Sequence, residues 1–174
     1  EYPASAYGYL GRAEYFRFYQ RREEALQDYV RAFRVAHRDV RNRGAAFRGI
    51  HDMTAKLERP AAEADRYRRE ARGLTSPEAL AYWTGYYYIR KKPRDYGAGR
   101  RYFDDALASG GGGSYRARAL AARAECHARF REFEKAKADI DAALAADPDT
   151  GEFYKVAEGI YRALSLPPPR KTQK

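Results

Sequence analysis

The chain contains a segment that occurs twice, in register and without gaps. Residues 6–39 and 117–150 share Ala6/Ala117, Arg12/Arg123, Ala13/Ala124, Glu14/Glu125, Glu23/Glu134, Ala25/Ala136, Asp28/Asp139 and Ala32/Ala143. Small residues recur where two helices have to pack closely. One amphipathic helix pair cannot bury its own apolar face, so a repeat of this period implies a stack of pairs that share a continuous core. Such a stack offers a partner a surface rather than an enclosed pocket.

The apolar pattern along the chain is helical throughout. Helices are expected over about 5–19, 22–37, 45–57, 61–72, 77–92, 95–108, 115–130, 132–146 and 151–164, and no stretch alternates as a strand does. Ala25, Tyr29, Ala32, Phe33 and Ala36 form one helix face. Ser76 before Pro77 reads as an N-cap with proline in the first turn, and Pro93 ends that helix. Gly97 and Gly99 are expected to weaken the start of the next one. The glycines at 110–113 mark a flexible loop and also resemble a synthetic linker. Residues 166–174, with three prolines and two lysines, form a flexible tail.

In residues 117–150, Ala124, Ala136 and Ala143 hold small positions, Leu120, Phe133, Ile140 and Leu144 hold large apolar ones, and Pro148 closes the unit. This segment resembles a tetratricopeptide repeat, whose period is about 34 residues. Residues 6–39 match through Tyr9, Ala13, Ala25, Tyr29 and Ala32 but lack the proline. Residues 80–113 match through Trp83, Tyr96, Phe103, Ala106 and Leu107, with Gly99 at one small position and Tyr87 at another. A degenerate unit near 43–79 fills the gap. The resemblance implies an all-α, right-handed solenoid of about four helix-turn-helix repeats, with residues 151–164 as a C-terminal capping helix. Residues 1–165 are thus one domain.

In that family the first helix of each pair lines a concave groove. By position the groove residues are then Tyr7, Leu10, Glu14 and Arg17; Thr84, Tyr88, Lys91 and Lys92; and Arg118, Ala121, Glu125 and Arg129. Tyrosine supplies rigid contact area with a polar tip, and arginine grips carboxylates in bidentate fashion. Trp83 reads as a packing residue, and Tyr86-Tyr87-Tyr88 must divide between core and groove. A second basic surface is expected where Arg31, Arg34, Arg38 and Arg41 share one helix face. Arg66, Arg69 and Arg72 make a shorter row. Such stripes fit acidic protein surfaces or phosphates, or are a solvated face offset by Glu24, Asp28 and Asp65. The asparagines with which chaperone-type members clamp a terminal carboxylate are missing, since Asn42 is the only one and lies in a connector.

The net charge of +10 is uneven: residues 1–101 carry 22 Lys/Arg against 13 Asp/Glu, and 102–174 carry 12 against 11. A basic first half points to an acidic partner. A lone cysteine, Cys126, excludes an internal disulfide. Catalytic signals are missing. His37, His51 and His127 are scattered, Cys126 lacks an ordered triad, no spacing suits zinc, and Asp104-Asp105 and Asp139/Asp141 read as exterior charges. No cofactor is expected, and no apolar run reaches the roughly 20 residues of a membrane span. The chain opens at Glu1 and its one methionine is Met53, as expected of a processed or partial chain; this leaves the compartment open, between an intracellular setting, which is favoured, and a processed organellar chain. These readings converge on a non-catalytic interaction scaffold or subunit of a larger assembly, docking proteins with acidic surfaces. The competing reading is an RNA-associated helical-repeat protein in a ribonucleoprotein particle.

Overall fold

Nine helices and no strand make up the described residues of the computed structural model, which are 5–36, 40–72, 76–110 and 115–170, with backbone alone at 40, 41 and 61. The helices are α1 (Ala6–Phe18), α2 (Arg22–Val35), α3 (Val40–Lys56), α4 (Ala61–Ala71), α5 (Pro77–Arg90), α6 (Tyr96–Ala108), α7 (Tyr115–Arg129), α8 (Phe133–Ala146) and α9 (Gly151–Ala163). The chain is all-α. Consecutive helices pack as pairs, α1–α2, α3–α4, α5–α6 and α7–α8, and each odd-numbered helix also touches the next odd-numbered one, out to α9. Among the described residues the core has two main buried clusters, one spanning α1 to α7 and the other α7 to α9, with Leu107 packed against both, and a small third one of Ala55, Ala64 and Tyr87.

Local chemistry sets the ends of the helices. Ser5, Ser76 and Asp95 side chains accept the amides of Gly8, Ala79 and Ala98 at 3.1, 3.1 and 2.8 Å, satisfying donors that have no partner inside the helix. Three connectors share one turn. Gln20, Glu58 and Arg131 adopt φ near +60°. The next residue's amide, from Arg21, Arg59 or Glu132, reaches back five positions to the carbonyl of Phe16, Thr54 or His127. This is the Schellman hydrogen bond, usually built with glycine at the left-handed position. Arg131→Gly is therefore expected to stabilise the protein by about 0.5–1 kcal/mol, because the side chain is exposed and the backbone strain is removed. A urea midpoint that stays put or falls contradicts this.

The shared residues of the first and last pairs explain their own repetition. Ala13, Ala25 and Ala32, and their counterparts Ala124, Ala136 and Ala143, are all fully buried, where the two helices of each pair approach. Arg12 binds Asp28 in bidentate fashion, Nε to Oδ2 at 2.5 Å and Nη2 to Oδ1 at 2.8 Å. Arg123 grips Asp139 in the same way, both contacts at 2.7 Å. Asp139 is thus a buried ion-pair partner, not the exterior charge expected of it, and Asp28 is buried in the same way. Burial alone would raise the Asp28 carboxyl, but hydrogen bonds from Arg12 and Arg31 outweigh it and hold the group below its ordinary range.

The third pair differs in register. Its connector, Lys91–Asp95, is two residues longer than the connectors at 19–21 and 130–132. An ungapped comparison puts Tyr87 at the small position of α5, but the added length moves Gly85 there. A Cβ on Gly85 would lie 2.7 Å from the Phe103 ring and 3.0 Å from the Gly99 carbonyl, and one on Gly99 would lie 2.5 Å from Ile89. Gly99 is therefore a packing requirement of α6 rather than a weakness. Tyr87, instead, is buried against Ala55 and Ala64 of the preceding pair. In that pair Ala64 and Ala71 are the buried small residues of α4, but His51 stands where Ala13 and Ala124 stand in theirs. That bulk accompanies a much sparser contact between α3 and α4 than within the other pairs.

Candidate functional site: a groove along the odd-numbered helices

The odd-numbered helices line a groove with two lobes. The larger, about 660 Å³, lies between α1, α3 and α5, with Tyr7, Leu10, Glu14 and Arg17 on one wall and Arg48, Asp52 and Lys56 on the other. The smaller, about 340 Å³, lies between α5, α7 and α9. Trp83 and Tyr86 line both lobes. Trp83 is buried and its indole N–H points at the Tyr115 hydroxyl, 3.3 Å away. It is a core residue whose edge reaches the groove.

Ion pairs and aromatic rings organise the walls. Glu14 accepts from the Tyr29 hydroxyl at 2.6 Å and from Arg17 at 2.8 Å. Burial, then that carboxylate, raises the Tyr29 hydroxyl well above its usual range. Burial likewise raises Tyr82, so both phenols stay neutral. Arg48 lies over the Trp83 ring at 5.8 Å and Arg90 over Tyr86 at 5.0 Å. Arg17, Lys56 and Arg90 each meet a carboxylate within 4.0 Å, whereas Arg48 and Arg118, one in each lobe, have no ion-pair partner among the described residues. Five cations line the groove against three carboxylates, so its balance is positive.

The structure brings together some of the expected groove residues and separates others. Tyr7, Leu10, Glu14 and Arg17 line the first lobe, and Arg118 and Ala121 line the second. Glu125 sits beside that lobe, 3.9 Å from Arg90. Tyr88, Lys91, Lys92 and Arg129 line neither lobe. Tyr88 stacks on Tyr102 of α6, Lys91 lies over Tyr88, Lys92 pairs with Glu58 at 3.4 Å, and Arg129 lies over Tyr96. Thr84 is buried and donates to the Leu80 carbonyl. Moving the third-pair expectations back by two residues gives Tyr82, Tyr86, Ile89 and Arg90, and all four line the groove. Two residues turn a helix by about 200°, which exchanges its faces. The α3 wall escaped the sequence reading because no small-residue pattern fixed its phase. Only Asn42, read as part of a connector, was singled out there, and it lines the first lobe from within α3.

The expected basic outer stripe does not lie on one helix. α2 ends at Val35 and α3 begins at Val40. Arg31, paired with Asp28 at 3.0 Å, and exposed Arg34 belong to α2. Arg41 belongs to α3, with its side chain outside the described residues, and Arg38 lies outside them altogether, as does the loop at 111–114. The break is anchored by Arg43, which donates to the Ala36 carbonyl at 2.6 Å. No glycine or proline announces it.

The reactive side chains are occupied or buried. Burial pushes the Cys126 thiol up to about 12, which leaves it a poor nucleophile. His127 turns to Glu132, with Asp139 3.7 Å from its other nitrogen. Among the described residues no group of three or more His, Cys, Asp or Glu is placed to hold a metal, and no helix is long and apolar enough to cross a membrane. No protein-family model matches the chain, and no curated protein sequence matches it.

Proposed function

We propose that this chain is a non-catalytic interaction module, a right-handed stack of the tetratricopeptide type, whose groove docks an extended, carboxylate-bearing segment of a protein partner within a larger assembly. The observation that carries this reading is the placement of Arg48 and Arg118. They flank Trp83 on the two lobes, and neither forms an ion pair among the described residues. Aromatic and arginine side chains are the usual energetic anchors of interfaces. Here Tyr82, Trp83, Tyr86 and Arg90 form a centre between the guanidinium groups of Arg48 and Arg118.

Panning a display library of acidic peptides is expected to yield groove binders. The double variant Arg48→Glu, Arg118→Glu should weaken them by at least about tenfold, since each lost charge-assisted contact is worth about 1.5–3 kcal/mol. Both positions are exposed, so the fold should persist. Binders indifferent to the double variant would refute the proposal. Selective retention of single-stranded RNA, lost steeply as salt rises, would replace it with the nucleic-acid reading.

A further inference from the structure

We propose that the outward face of α1 is a homodimer interface, pairing two copies of this helix antiparallel about a two-fold axis. The side of α1 opposite the buried Ala13 presents Gly8, Gly11, Tyr15 and Phe18, continued by the C-cap Tyr19, with Tyr7 at the edge where this face meets the first groove lobe, which Gly11 also lines. None is charged. Arg12 is committed to Asp28, and Glu14 and Arg17 pair with each other beside the groove. Tyr7 and Phe18 are 78% exposed, Tyr19 57% and Tyr15 56%. The Tyr15, Phe18 and Tyr19 rings already touch one another, with centroids 4.7 and 5.2 Å apart along the cluster.

The opposite end of the stack shows the contrast. The solvent side of α9 carries Glu152, Lys155, Glu158 and Arg162, all exposed, as an end facing water requires. The face of α1 has aromatic rings instead. Among the described residues no side chain from another helix packs against its two glycines, Gly11 also lining the first groove lobe. A Cβ on Gly11 would meet nothing within 4 Å, and one on Gly8 only the Ser5 hydroxyl at 3.4 Å. Glycine weakens a helix interior; α9 has one such exposed glycine, Gly159, on its charged side, whereas the two on α1 lie among aromatic rings and leave a notch that a second helix can enter.

The occupant that fits is a second copy. In an antiparallel pair with its midpoint level with Ala13, Phe18 of one copy arrives at the height of Gly8 in the other, Tyr15 at the height of Gly11, and Tyr19 at the height of Tyr7. The two-fold repeats each match in reverse, so the face is complementary to itself. Because the face carries no charge, two chains of net charge +10 can meet there without like charges in contact. Taking roughly 200 Å² for a whole aromatic side chain, the exposed fractions amount to about 500 Å² per copy. A pair can then bury up to about 1,000 Å² through these rings, which is the lower bound of a specific interface.

Sedimentation at about 100 µM, a concentration suited to an interface at that bound, is expected to give twice the 19.9 kDa chain mass. Tyr15→Glu with Phe18→Glu should return it to a single chain with unchanged helical circular dichroism. Independently, Gly11→Cys chains mixed with Tyr15→Cys chains should form an oxidised heterodimer far faster than either alone, the native Cys126 being buried. A single-chain mass for the unmodified protein, a dimer that survives the glutamates, or no preferential cross-link would each overturn the proposal. Neither arm depends on peptide binding in the groove.

Discussion

Gly85→Leu is expected to cost about 3 kcal/mol or more, the upper range for overpacking a filled site. Even a first carbon at this position meets the Phe103 ring at 2.7 Å and the Gly99 carbonyl at 3.0 Å. Phe103 is fully buried, and a backbone oxygen moves only if α6 moves. Gly85→Ala should be destabilising by a smaller amount, although alanine is the better helix former by about 1 kcal/mol. Gly159→Ala, in α9 with open space around it, should show that helical gain undiminished. Urea unfolding of the three variants checks the order. If the leucine variant matches the unmodified protein, Gly85 is not the contact point of α5 and α6. The two-residue register shift that defines the groove then fails with it.

Acidification from pH 6.5 to 4.5 is expected to remove roughly 2 kcal/mol of stability through one residue, His51, the slope reaching about 1.4 kcal/mol per pH unit once the unfolded imidazole is fully protonated. The imidazole is fully enclosed, with Phe47 at 4.3 Å and Tyr87 at 6.0 Å between ring centroids, and its Nδ1 has no hydrogen-bond partner among the described residues. Burial, reinforced by the Arg68 charge, pushes its pKa down to about 3. The direction is opposite to that of a histidine with an acidic partner. Between about 6.5, the ordinary value, and 3 the unfolded chain takes up a proton that the native protein refuses. Its contribution is therefore fully present above pH 6.5 and is lost as pH falls toward 3. Asp28, held low by Arg12 and Arg31, loses its contribution only at lower pH. His51→Phe keeps an aromatic ring among aromatic neighbours and removes the titrating group. The difference between the two chains in urea midpoint at pH 7.5 and at pH 4.5 should therefore isolate the effect. Parallel pH profiles would show that His51 is hydrated or displaced in the folded state.

The helices were legible because their signals are local. Ser76 and Pro77 open α5 as their chemistry requires, and Phe153 and Ile160 put the apolar side of α9 against the core. Longer-range identities were legible too, where spacing was conserved between pairs. The alanines repeat because the same connector length brings them to the same places, whereas the Arg12–Asp28 and Arg123–Asp139 ion pairs were not read from the sequence, Asp139 having been expected on the exterior. Helices expected over 22–37 and 45–57 leave a break between α2 and α3, but its place was not legible, since residues 36–40 contain no helix breaker and α3 already begins at Val40. A buried guanidinium contact from Arg43 secures it from outside the segment.

By itself, the sequence determined an all-helical chain, the small contact positions of its first and last pairs and the tyrosine–arginine character of its surface, all of which follow from residue type and short spacing. Only the tertiary structure decided which way α5 turns. Two extra residues before α6 rotate it by about 200°. That rotation sends Tyr88 to Tyr102 and brings Tyr86 and Arg90 to the groove. A helix's face is set by what it packs against, and the packing partner Gly99 lies across a connector whose length no periodicity within α5 records.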